Sequence, residues 1–383
     1  MRALIHVQHL LGTGHAVRAV AIGRALAARG VAVTLATGNR LPPTLATHGL
    51  DIAPLPLARA ADATFKVILD ESGKPIDEAW KASRRDALLA VAAAVRPDIL
   101  ITETFPFGRR PFAFELRPLI EMARTDRCRL VAASIRDILV RKDDLAKERW
   151  MADTALALHD LVLVHADPAF VRLEDSFPFA EAIAPLVRYT GFVHAPSAVA
   201  PPPGDGIDEV IVSCGGGPVG TRLLEAALGA KTLSARAGDA IWRVLVGREH
   251  GEAALAALAE RAPPGLIVEA ARPDFPALLG RARLSISQAG YNTVLDVIAA
   301  GCPAVFVPFA EGSETEQAQR AALIAARGRC TIVEEQTVDA ASLAAACDDA
   351  LERPRPTPVA VATDGAERSA EILIEEAHRR SIR

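Results

Sequence analysis

Residues 287 to 321, SQAGYNTVLDVIAAGCPAVFVPFAEGSETEQAQRA, hold the side chains best suited to chemistry. A short apolar strand from Leu284 to Ser287 runs through Gln288 and Ala289 into Gly290, where a helix is expected to start. Thr293 and Asp296 then fall one turn apart on that helix. A second apolar strand, 303–308, leads to the acidic-amide pair Glu316 and Gln317. In an α/β sheet this order brings a helix N-terminus, a hydroxyl, a carboxylate and a polar pair to the carboxyl ends of neighbouring strands. Ligands bind at such ends, and helix N-termini attract phosphate. The set suits a nucleotide diphosphate that carries a polar sugar. Singly, each part is also an ordinary turn, an early-helix charge or a solvated face; the order is what speaks for a site.

The same stretch closely resembles the C-terminal signature of inverting GT-B glycosyltransferases, both the MurG-like N-acetylglucosamine transferases and the UDP-glycosyltransferases. The resemblance implies that the turn Ser287, Gln288, Ala289, Gly290 meets the donor diphosphate, with Thr293 beside it. It implies that Asp296 binds the ribose diol and that Glu316 with Gln317 holds donor-sugar hydroxyls. MurG-like proteins usually carry Glu where this chain has Asp296, and the sequence after Pro308 is not theirs. The donor sugar is therefore left open.

Each half of the chain opens with a glycine-rich first βα turn. In the second half this is SCGGGPVGTR, where Gly215, Gly217 and Gly220 match GxGxxG. Glycines there let backbone N–H groups approach a diphosphate. A dinucleotide site would also want an acidic residue at the end of the next strand. Gly247 and Arg248 stand there instead, so an NAD-dependent oxidoreductase is disfavoured. By resemblance, Gly215, Gly216 and Gly217 cradle the donor phosphates.

The first half opens with LLGTGHAVRAVAIGRALAARG, in which Gly12 and Gly14 make the turn. His15 sits at the helix mouth and Arg18 one turn later on the same face. A neutral imidazole here can take a proton from an acceptor hydroxyl, and the helix N-terminus lowers its pKa. The GxGH turn again resembles GT-B enzymes, and GHxxR is similar to the nucleotide-sugar hydrolase of pseudaminic acid synthesis. In UDP-glycosyltransferases an acidic residue after a buried strand orients the histidine. PDILITETFPFG, residues 97–108, places Glu103 at that position, and Asp137 in SIRDILV competes for the same role.

No Asp-x-Asp occurs and the histidines lack paired ligand spacing, so no metal and no cofactor beyond a nucleotide-sugar co-substrate is expected. Asp143-Asp144 and Asp348-Asp349 read as solvated helix surfaces.

Positioning these loops takes more than one ordinary core, and 383 residues make two domains the natural division. Hydrophobic residues make up 50% of the chain but aromatics only 4%, so the cores must be aliphatic. Short aliphatic runs alternate with amphipathic segments, the pattern of parallel sheets covered by helices. Strands are expected at 3–8, 31–36, 99–102, 130–134 and 161–165, then at 209–214, 242–246, 266–269, 284–287 and 304–307. The Pro-rich run HAPSAVAPPPGDGID, 194–208, reads as a linker. The expectation is an α/β chain of two Rossmann-like domains, the GT-B arrangement, with a cleft between them. Residues 1–193 form the acceptor side and 209–383 the donor side, and the last helix is free to pack on either. Residues 58–76 interrupt the alternation as an excursion.

Five scattered cysteines without CxxC spacing look like small buried hydrophobes in a reducing cytosol. The longest apolar runs are too short to span a bilayer, and the N-terminus lacks a signal-peptide pattern. The net charge of −4 divides into +3 over residues 1–193 and −7 over the remainder. The arginine excess between Arg109 and Lys142 suits an anionic acceptor, a lipid-linked one included, or the inner face of a membrane. No basic run interleaves with aromatics, which argues against nucleic acid.

The resemblance covers essentially the whole chain and implies inverting, metal-independent transfer from a nucleotide-diphosphate sugar, UDP by family, to a hydroxyl acceptor. His15 would be the base and Glu103 its partner, in a cytoplasmic protein. The rivals are a nucleotide-sugar hydrolase or epimerase on the same fold, and a non-catalytic nucleotide-sugar-binding protein.

Overall fold

The computed structural model describes residues 1–10, 14–42, 45–61, 67–126, 128–142, 144–194, 199–215, 219–247, 250–310 and 315–381. The chain divides into two compact units: residues 1–194 with 362–383, and residues 195–361.

The first unit is built on β1 (Arg2–Val7), α1 (Gly14–Ala27), β2 (Ala32–Thr37) and β3 (Asp51–Pro54), followed by a two-residue antiparallel pair, β4 (Arg59–Ala60) and β5 (Ile68–Leu69). It continues through α2 (Glu78–Val95), β6 (Ile99–Glu103), α3 (Ala113–Thr125), β7 (Leu130–Arg136), α4 (Leu145–Leu158), β8 (Leu161–His165) and β9 (Val187–Tyr189). Among the described residues, its main sheet is seven-stranded and parallel, in the order β3-β2-β1-β6-β7-β8-β9. Strand order reverses between β1 and β6, the place where open α/β sheets bind ligands.

Period-2 alternation sorts β1 between two helix layers. Ala3, Ile5 and Val7 face α1, while Leu4 joins the cluster under α2 and α3. The same alternation sends His6 to Glu115 on α3, at 3.2 Å. Helix α2 starts where Asp77 accepts from the Trp80 amide at 2.8 Å, a normal N-cap.

The second unit holds β10 (Val210–Ser213), α5 (Thr221–Leu233), β11 (Trp242–Val246), α6 (Gly251–Glu260), β12 (Leu266–Ala270), α7 (Phe275–Leu279) and β13 (Leu284–Ser287). After these come α8 (Tyr291–Ala300), β14 (Ala304–Phe306), α9 (Glu316–Ala325), β15 (Thr331–Ile332) and α10 (Ala340–Glu352). The described strands pair in parallel as β12-β11-β10-β13-β14-β15, so order reverses between β10 and β13. Its aliphatic core runs from Val210 and Val244 to Leu224, Leu343 and Cys347.

The last helix, α11 (Gly365–Ser381), returns to the first unit. Ala366, Ala370, Ile372, Leu373 and Ala377 share a core with Ala19 and Ile22 of α1. Residues 362–383 therefore leave the span 209–383 expected of the second domain. The cause is a wide apolar face on α11 that only the α1 side buries.

Two aspartates read as solvated have structural work. Asp144 is the N-cap of α4, accepting from the Ala146 amide at 2.8 Å. Asp348 accepts from Ser234 Oγ at 2.6 Å and from the amides of Ala235 and Arg236, closing the end of α5. Asp143 lies outside the described residues. The five cysteines are buried and free. No described helix is long and apolar enough to cross a membrane.

Candidate active site and donor-binding turn

In the first unit, the loop after β1 and the carboxyl end of β6 meet at the strand-order reversal. His15 lies in the first turn of α1, and Glu103 is the last residue of β6. His15 Nδ1 is 3.0 Å from Glu103 Oε1, with the histidine side chain 12% exposed and the glutamate 1%. Arg18, one turn further on α1, donates through Nη2 to the same Oε1 and stands 3.2 Å from His15 Nδ1. Ser134 Oγ donates to Glu103 Oε2 at 2.6 Å, and Thr104 Oγ1 donates to Oε1 at 3.2 Å.

Donors thus converge on Glu103, which fixes it as an anion. Burial raises its pKa, but Arg18 and His15 outweigh that and hold the carboxyl well below the usual range. The carboxylate can only accept, so the Nδ1 of neutral His15 carries the proton and Nε2 keeps the lone pair. Burial first, then the charge of Arg109, bring His15 down to about 3, with Glu103 pulling the other way and Arg136 and Arg18 adding to the fall. The imidazole is therefore neutral at every ordinary pH.

Arg109 is pinned beside this pair: its Nε donates to the Gln8 carbonyl at 2.6 Å. Gln8 is held in turn by Arg84, which donates to Gln8 Oε1 at 2.6 Å and to Glu115 Oε2 at 2.7 Å. Burial and the nearby Arg136 charge lower Arg109 to about 10. Thr104 has φ +71, a costly conformation for a β-branched residue, about 1–3 kcal/mol. That backbone brings its Oγ1 to 3.0 Å from His15 Nδ1.

The structure brings His15, Glu103 and Arg18 together across 85 and more residues of sequence. Asp137 is buried just past β7, and the carboxylate at hydrogen-bond distance from His15 is Glu103. Gly14 opens α1, while Gly12 lies outside the described residues. Sequence reasoning did not single out Thr104, Ser134 or His165, and met Arg109 and Arg136 only as part of an arginine-rich segment. For His165 in LVLVH the signal was a polar residue closing an apolar strand, as Glu103 does in ILITE; Ser134 lies inside LVAASIR, two residues before its end.

In the second unit, Ser287 ends β13 beside Ser213 at the end of β10. The Gln288 amide donates to the Ser213 carbonyl at 3.3 Å, and Gly290 is the N-cap of α8. Ala289 and Ser287 are fully buried. Asp296 is buried on α8, one turn after the half-buried Thr293. Ser287 Oγ and Gln288 Nε2 are buried with no hydrogen-bond partner, an uncompensated cost unless a ligand supplies one. Gly215 has φ +77 at the start of the glycine loop, whose Gly216 and Gly217 lie outside the described residues. Gly220, φ +91, starts α5; a Cβ there would stand 2.5 Å from Cys214 Cβ, so only glycine fits.

Glu316 and Gln317 open α9, but each already has an internal contact. Arg320, one turn on, donates to Glu316 Oε1 at 2.6 Å and to the Ala289 carbonyl at 2.9 Å. Gln317 Oε1 accepts from the Phe309 amide at 3.1 Å. Arg320, also not foreseen, thus ties α9 to the Ser287–Gly290 turn.

Residues 211–373 match the glycosyltransferase family 28 C-terminal domain. That match covers under half of the chain. It spans the β10–β15 sheet and runs on into α11. A UDP-N-acetylglucosamine–N-acetylmuramyl-(pentapeptide) pyrophosphoryl-undecaprenol N-acetylglucosamine transferase of Anaplasma marginale (strain St. Maries) is 41% identical over 69 residues, 18% of this chain and 19% of that protein. The enzyme of the same name from Acidithiobacillus ferrooxidans (strain ATCC 53993 / BNL-5-31) is 33% identical over 132 residues, 33% of this chain and 36% of that one. The alignments thus span about a fifth to a third of these curated relatives.

Solved structures align over nearly the whole chain. The calicheamicin glycosyltransferase CalG4 matches with TM-score 0.63 and 17% identity, covering 98% of this chain and 95% of its own. Acinetobacter baumannii MurG matches with TM-score 0.57 and 16% identity, covering 98% and 100%. These likenesses show the fold, that of GT-B glycosyltransferases.

Proposed function

We propose that this chain is an inverting glycosyltransferase that moves a sugar from a nucleotide diphosphate, UDP by its relatives, to a hydroxyl acceptor without a bound metal. The observation that carries the reading is the His15–Glu103 pair, a neutral imidazole whose Nδ1–H is committed to a buried carboxylate and whose Nε2 is left basic. Nε2 would take the acceptor's proton as the oxygen attacks the anomeric carbon and the nucleotide diphosphate departs. Glu103 would stabilise the resulting imidazolium, the division of labour in a Ser-His-Asp triad.

A base near 3 is always unprotonated but weak. A negatively charged group of the substrate beside Arg109 and Arg136 would offset their charge and strengthen it. Donor binding is assigned to the family 28 domain: the α8 N-terminus and glycine loop for the diphosphate, Asp296 for the ribose. Glu316 and Gln317 would serve the sugar, with Arg320 holding Glu316 in place. The UDP-sugar donor and pyrophosphoryl-lipid acceptor in the relatives' names suggest an acceptor linked to lipid, met by the protein at the inner face of a membrane.

The test is release of sugar from UDP-N-acetylglucosamine and a panel of UDP- and dTDP-sugars, with and without a bacterial lipid extract. Slow release into water and a large stimulation by acceptor are expected. Rapid, acceptor-independent release would make the protein a hydrolase instead.

A further inference from the structure

Glu103 is also held, through its Oε2, by a line of polar side chains. Thr190 Oγ1 lies 2.8 Å from His165 Nδ1, and His165 Nε2 lies 2.9 Å from Ser134 Oγ. Ser134 Oγ is 2.6 Å from Glu103 Oε2. All of these residues are buried.

The direction of the two bonds nearest Glu103 follows from proton count. Ser134 has one hydroxyl hydrogen, and a carboxylate can only accept, so Ser134 donates to Glu103. It must then accept at its other contact, which puts the proton of His165 on Nε2. Neutral His165 has one N–H, so its Nδ1 can only accept, and Thr190 divides its single hydroxyl hydrogen between that Nδ1 and the Gly191 carbonyl, each 2.8 Å from Oγ1. Burial lowers His165 to about 3 and keeps it neutral. From His165 the line runs one way, through Ser134 to Glu103.

That line matters because His15 has a competing tautomer. Arg18 Nη2 stands 3.2 Å from His15 Nδ1, and a guanidinium only donates. With Glu103 Oε1 in place, Nδ1–H donates to it. If the carboxylate swings away, Nδ1 can lose its proton and accept from Arg18 instead. The proton then sits on Nε2, where the base is needed. Arg18 shares Oε1 with His15 and reaches Oε2 only at 3.5 Å, so the firm anchor on Oε2 is Ser134.

We propose that Ser134 and His165 are positioning residues: the chain Thr190–His165–Ser134 fixes the Glu103 carboxylate and thereby selects the Nδ1–H tautomer of His15 over the Arg18-bound alternative. The proposal rests on the reading of His15 as the base for its catalytic consequence, but not for its structural content.

The experiment uses the full chain labelled with 15N-histidine, with His15 assigned from the spectrum of His15→Ala. Two-bond 1H–15N spectra read the tautomer, and slow hydrolysis of UDP-N-acetylglucosamine reads turnover. In the wild type His15 is expected as Nδ1–H. In Ser134→Ala at least a tenth of His15 should appear as Nε2–H. Hydrolytic kcat should fall about fivefold to tenfold while KM for the nucleotide sugar holds, the scale of one ordinary hydrogen bond. Ser134→Thr, which keeps the hydroxyl, should restore both, and His165→Leu should reproduce the tautomer shift if Ser134→Ala folds poorly. His15 wholly Nδ1–H in both Ser134→Ala and His165→Leu would overturn the proposal. Hydrolysis unchanged in His15→Ala would remove the base reading alone, since the tautomer measurement still decides the chain.

Discussion

At the scale of single residues, the two halves carry different chemistry. Asp296 is a buried carboxylate on the inner face of α8, one turn past Thr293. If it binds a ribose diol it forms charge-assisted hydrogen bonds, worth about 1.5–3 kcal/mol. Asp296→Ala is then expected to weaken UDP about tenfold or more by calorimetry. Wild-type affinity in that variant would take the ribose off Asp296. His15, Arg18, Glu103, Ser287, Gly290 and Asp296 were legible in the sequence because residue type and loop position singled them out. Ser134, His165 and Arg320 were not, because each acts through another residue and none belongs to a spacing motif. His165 alone closes an apolar run, a mark that many buried strands share.

Among the elements, the long buried strands were readable because runs such as ILITE and LVLVH are apolar on both faces. The edge strands β3, β9 and β15 were not: they are two to four residues long and mostly exposed or half-buried. Where α11 packs was undecidable from its pattern, since an apolar stripe names no partner. The strands and helices of the first unit also bury three neutral histidines. His165 ends β8, His159 caps α4 and His15 opens α1, and burial brings each to about 3. Unfolded, each titrates at its ordinary 6.5. Between pH 6.5 and 3 the unfolded chain binds more protons, so stability falls as pH falls, by about 1.4 kcal/mol per pH unit for each histidine. Glu103, held below its ordinary value, adds in the same direction below about pH 4.5, because folding then has to keep it ionised. Thermal unfolding followed by circular dichroism is expected to give a midpoint that drops steadily from pH 6.5 to 4. A midpoint flat over that range would show that these histidines are protonated in the fold.

At the scale of the whole molecule, two parallel sheets each carry their polar cluster at the point where strand order reverses. One cluster is a neutral imidazole with its carboxylate partner; the other is a helix N-terminus with buried, unsatisfied hydroxyl and amide groups. The division of labour between them is the central claim, and removal of one imidazole tests it most directly. Turnover of UDP-N-acetylglucosamine and UDP affinity are to be measured side by side in the wild type and His15→Ala. The expected result is a loss of kcat of about 10² or more, the scale of a general base, with UDP affinity unchanged. Wild-type turnover in His15→Ala, with UDP still bound, would contradict the account.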